Sequence, residues 1–142
     1  RHPGGAGAQA GGVAAFRAQL GRSFELDQPG TVGRLGGEVS PYTGDALGID
    51  YPRADPDALY AAARAAMRGW ADAPPEARLG VCLAIVARLH DEVFATQQAV
   101  MHTAGQSALM SYAGSGTNAL DRGVEALCYA HAAMSDVPRE AT

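Results

Sequence analysis

The sequence predicts a predominantly α-helical segment carrying one small β-hairpin. Apolar residues recur at helical spacing through most of the chain after Asp55. One stretch, Leu47-Gly48-Ile49-Asp50-Tyr51, alternates with the period of a half-buried strand, and the turn Ser40-Pro41-Tyr42-Thr43-Gly44 precedes it. At 142 residues the chain is at most one ordinary domain. Its hydrophobic fraction of 47% owes much to alanine, so the core must come from close-packed helices with few large anchors.

Residues 1–30 read as a flexible lead-in with a short helix, and 31–142 as a hairpin followed by helices. Residues 1–12 are rich in Gly and Ala and have little to bury. Val13 to Leu20 suits one short helix, with Phe16 and Leu20 four apart and Gly21 as its stop. Pro29-Gly30 signals a turn. Strands are expected over Arg34–Ser40 and Ala46–Tyr51, with Pro52 ending the second because it cannot donate to a ladder.

The first main helix has a written start: Asp55 as N-cap, Pro56 at the first helical position, and Asp57 complementing the dipole. Leu59, Ala63, Ala66, Met67 and Trp70 share one face, which makes Trp70 a core anchor. Pro74-Pro75 starts a second, long helix along Cys82, Ile85, Val86, Leu89, Val93 and Val100, stopped by Gly105. A short helix fits Leu109 to Tyr112, and Gly114-Ser115-Gly116 reads as loop. The last helix starts at Thr117 or Asn118 and carries the stripe Leu120, Val124, Leu127, His131 and Met134 until Pro138.

Composition excludes several function classes. The net charge is −4 and there is no basic cluster, which argues against nucleic acid as a partner. All eleven basic residues are arginine, so neither a Schiff-base nor a P-loop lysine is present. No run approaches about 18 consecutive apolar residues, so no membrane partner is expected. Cys82 and Cys128 lie inside helical patterns and read as buried thiols of a reducing cytoplasm. The first residue is Arg1, and the chain reads as an internal piece of something longer.

The candidate reactive residues read as structural. Cys82 sits beside Leu83 and Ile85, an apolar setting that disfavours the thiolate, and Cys128 is read the same way. His131 and His102 read as hydrogen-bonded core residues. His90, His102 and His131 lack metal-ligand spacing. Gly4-Gly5 and Gly11-Gly12 follow no strand and make no dinucleotide fingerprint. Gly114-Ser115-Gly116-Thr117 precedes a helix, where a phosphate can bind, but a plain loop and cap fits better because no strand leads into it.

Six segments in one order carry a family resemblance: FELDQPGT (Phe24 to Thr31), GGEVSPY (ending at Tyr42), YPRADPDAL (Tyr51 to Leu59), PPEARLGVCL (Pro74 to Leu83), AVMHTAGQ (Ala99 to Gln106) and DRGVEALCYA (Asp121 to Ala130). From about Gly30 to Pro138 the chain resembles the opening of the aldehyde dehydrogenase superfamily. Within it, the likeness is to the ring-cleavage-product dehydrogenases of phenylacetic acid degradation, called PaaN-type. Ser40 departs from the family, which often has asparagine at this tip.

The resemblance implies the N-terminal part of an α/β aldehyde dehydrogenase-like fold. The parent would be a cytoplasmic homo-oligomer using NAD or NADP to oxidise a ring-opened semialdehyde to its acid. A cysteine thiolate would attack the aldehyde, hydride would pass to the cofactor, and a glutamate-activated water would release the acid. Those residues fall outside this sequence. The segment is therefore expected to hold no catalytic, cofactor-binding or metal-binding residue, and to be inactive without the remainder of its chain. The alternative from another class is a non-catalytic helical interaction module.

Overall fold

A computed structural model describes residues 5–137. Its element order is α1 (Ala6–Gln19), β1 (Thr31–Gly36), β2 (Asp50–Ala54), α2 (Pro56–Asp72), α3 (Pro75–Asp91), α4 (Val93–Ala104), α5 (Ala108–Tyr112), a π-helical turn (Ala113–Thr117) and α6 (Asn118–Ser135). The predominantly helical class with one antiparallel hairpin is thus observed. Pro138 lies outside the described residues, as does Gly4.

The signals at chain reversals act as their chemistry requires. Asp55 accepts the Asp57 amide at 3.1 Å, and Pro56 opens α2. Gly105 ends α4 in the left-handed conformation, φ 70, and donates to the Met101 carbonyl. Gly44 takes φ 75 where the hairpin tip reverses. Ser107 caps α5 by accepting the Met110 amide at 3.3 Å.

Four expectations need correction. First, α1 begins at Ala6, so the glycine-rich stretch before Val13 is helical from there on. Packing overrides propensity: Gly12 lies against the backbone of Phe94 and Ala95 in α4. Second, the ladder lies farther from the tip than the alternation suggests. Thr31 pairs with Ala54 and Gly36 with Asp50, with a bulge between Thr31 and Gly33. Pro52 does not end β2 but sits inside it opposite Arg34, and its carbonyl accepts from Gln28 Nε2 at 3.2 Å. Its missing N–H costs nothing on an edge-facing position.

Third, the long second helix is two. Glu92, at φ −94 and ψ 8, breaks the run so that α3 packs on α6 while α4 packs on α1 and α5. Fourth, Gly114-Ser115-Gly116 is not a loop. It forms the π turn leading directly into α6, with Gly116 buried against Val93.

Two small cores result. Phe16 of α1 packs with Leu47 and Ile49 of the hairpin, flanked by Tyr51 and Ala99. Val93 and Leu120 are buried where α4 and α6 meet the π turn. The stripe on α6 faces inward through Leu120, Leu127, His131 and Met134, while Val124 is 40% exposed. On α2 no residue is buried, and Trp70 is 47% exposed, because it meets α3 and α6 only along an open groove beside Leu79 and Leu127. Trp70 is therefore not the core anchor its spacing suggests.

Candidate functional site

The most built polar site is where the hairpin tip docks on the end of α4. Ser40 is 1% exposed. Its Oγ accepts the amides of Tyr42 at 3.2 Å and Thr43 at 3.3 Å, closing the turn. The same oxygen lies 2.7 Å from Nδ1 of His102. With two amides already donating to Oγ, its own proton goes to Nδ1, which assigns His102 as the tautomer protonated at Nε2.

Aromatic rings and backbone acceptors complete the junction. Phe16 stacks on the His102 ring at 5.1 Å and Tyr42 meets it edge-on at 5.9 Å. The Tyr42 hydroxyl donates to the Gln106 carbonyl at 2.6 Å, just past the α4 stop. One imidazole thus ties together α1, the hairpin and α4.

This hydroxyl–imidazole pair is a latch. A nucleophile needs an exposed oxygen with a free lone pair, whereas the Ser40 oxygen is covered and committed to three partners. Replacing Ser40 with Ala removes the shared partner of two amides and the imidazole nitrogen at a partly buried junction, which costs about 1–2 kcal/mol. The expected result in the full-length protein is a lower urea midpoint for S40A with an unchanged slope. An unaltered midpoint would show that the latch contributes nothing.

A second polar cluster fixes the hairpin base. Arg34 Nε donates to Asp50 Oδ1 at 2.6 Å, and Nη2 donates to the Phe24 carbonyl at 2.7 Å. The Arg34 hydrogen bond, with a second from Ser23, holds the Asp50 carboxyl below its ordinary value. A depressed carboxylate stabilises the fold above its unfolded pKa and loses that contribution as acid protonates it. Burial pushes the Tyr51 hydroxyl up, helped by the Glu38 carboxylate.

The remaining candidates stay apart. Cys82 is half-buried and Cys128 is exposed, so neither is the fully buried thiol their helical positions suggest. They project from α3 and α6. His90 contacts the adjacent Asp91 at 3.5 Å, and His131 is half-buried on α6. No group of three or more His, Cys, Asp or Glu able to hold a metal exists among the described residues. No helix there is long and apolar enough to cross a membrane.

The stretch 114–117 does not fit a pyrophosphate. It follows α5 rather than a strand, Gly116 is closed off by Val93, and the Asn118 amide donates to the Ala113 carbonyl. Sequence reasoning missed the Ser40–His102 bond, which spans 62 positions and leaves no local signal.

A solved structure repeats this arrangement of hairpin and helices. The crystal structure of an NAD-dependent aldehyde dehydrogenase from Burkholderia multivorans matches with a TM-score of 0.85 and 47% identity over 94% of this chain. The chain is similar to part of an aldehyde dehydrogenase. That supports the aldehyde dehydrogenase superfamily for it, and its mostly helical fold with a two-stranded hairpin matches a fragment of such an enzyme. The chain spans 24% of that aldehyde dehydrogenase's length. No protein-family model matches the chain, and no curated protein does.

Proposed function

We propose that this chain is the N-terminal part of an NAD(P)-dependent aldehyde dehydrogenase of the PaaN type. The intact cytoplasmic enzyme oxidises the semialdehyde released when the ring of an activated phenylacetate is opened. The observation that carries the reading is the 47% identity to an NAD-dependent aldehyde dehydrogenase, held over 94% of the chain. The six motif segments from Phe24 to Ala130 favour the phenylacetate branch within it.

In this reading the chain contributes architecture. The Ser40–His102 latch fixes the angle between the hairpin and α4, and the hairpin serves contacts between subunits of a homo-oligomer. NAD, or NADP, accepts the hydride in the remainder of the enzyme, where the catalytic cysteine and glutamate also reside. The 142 residues alone are inactive.

The test uses the full-length gene product. It should reduce NAD with the ring-opened semialdehyde at a kcat/KM at least about tenfold above that for a short aliphatic aldehyde, the scale on which a shaped pocket discriminates. No cofactor reduction with any aldehyde would sink the dehydrogenase reading. Equal rates on both substrates would sink only the phenylacetate assignment.

A further inference from the structure

A groove of about 190 Å³ runs between the end of α2, the start of α3 and the second half of α6. Trp70, Leu79, Cys82, Leu127 and Met134 line it, and so does Arg78. The Arg78 guanidinium is poorly served there. Among the described residues its Nε is buried with no hydrogen-bond partner, and Nη2 reaches the Met134 sulfur at 3.6 Å. A thioether is a weak acceptor, and buried donors are rarely left unpaired.

The same face exposes large apolar surface. Trp70 is 47% and Met67 64% exposed, although both share the inward stripe of an amphipathic helix. Over the whole chain the accessible surface is 9709 Å². A compact monomer of 14.6 kDa should expose about 6900 Å². The excess of roughly 2800 Å² is spread over the whole chain, and it is large enough to include an interface at this face. An apolar slot whose guanidinium has, among the described residues, only a thioether for a partner therefore asks for a cover that is apolar at its centre and brings an anion to the outer nitrogens. Arg selects a carboxylate, whose two oxygens match its fork.

We propose that this groove receives a segment of the remaining parent chain that seats an apolar side chain against Trp70 and Cys82 and brings a carboxylate to Arg78. The proposal rests on the reading above that such a remainder exists. Its test is independent of catalysis.

In the native full-length protein, pulsed alkylation with mass spectrometry of the Cys82 peptide should show labelling at least about tenfold slower than in the urea-unfolded chain, as expected for a closed contact. R78M should raise the Cys82 rate about tenfold, since truncating one partner of a desolvated charge pair is costly, and R78K, which keeps the charge but loses the fork, should fall between R78M and the parent. If R78M does not fold, R78Q reads the same quantity. Native Cys82 as reactive as in urea would overturn the proposal. So would protection that R78M and R78Q leave intact, which means an apolar cover alone, or protection that grows with concentration, which means a second copy. Loss of aldehyde oxidation with Cys82 still protected would count against the enzymatic reading instead.

Discussion

On its own, the 142-residue chain should bind an apolar-surface dye strongly and melt without a sharp cooperative transition. The reason lies in how little it buries. Phe16, Leu47, Ile49, Val93 and Leu120 are its buried hydrophobic residues among those described, divided between two separate cores. Meanwhile Trp70, Met67, Ile85, Leu89 and Tyr129 are each about half exposed or more. Val86 and Leu127 are half-buried between α3 and α6.

Two-state melting needs one core whose loss is all-or-none. Two cores of two or three side chains, both built on α4, do not meet that condition. Loosely packed states bind such dyes because apolar surface stays accessible. The check is dye fluorescence and calorimetry on the purified segment. A narrow calorimetric peak without dye binding would show that the segment is a domain in its own right.

Local chemistry was legible wherever one residue decides the backbone. Asp55-Pro56-Asp57 fixes the start of α2, Gly105 the end of α4, and Gly44 the turn at the tip. What stayed hidden depends on residues far apart. Nothing local marks Glu92 as a break, because the break exists so that α3 and α4 can reach different partners. Gly114 and Gly116 look like a loop, but the close approach of Val93 to Gly116 makes the same residues a π turn. Pro52 looks like a strand terminator until its neighbour across the ladder is known. The site followed the same rule: His102 was legible as a hydrogen-bonded histidine, while its partner Ser40 was legible only as a turn residue.

The sharpest test of the architecture sets two neighbouring glycines against each other. Gly11 and Gly12 both lie inside α1. A methyl group added at Gly11 meets nothing within 4 Å. One added at Gly12 lies 2.6 Å from the Phe94 carbonyl carbon and 2.9 Å from the Ala95 nitrogen. Those are backbone atoms, which no rotamer change can move aside. G12A must therefore lift α1 off α4, drawing Phe16 away from His102, Leu47 and Ile49. The expected cost in the full-length protein is about 3 kcal/mol, at the upper end for overpacking. G11A instead removes only the helix penalty of glycine and should stabilise by about 0.5–1 kcal/mol. Urea midpoints for the two variants should move in opposite directions; a shift of the same sign in both would mean that α1 does not cross α4 at Gly12.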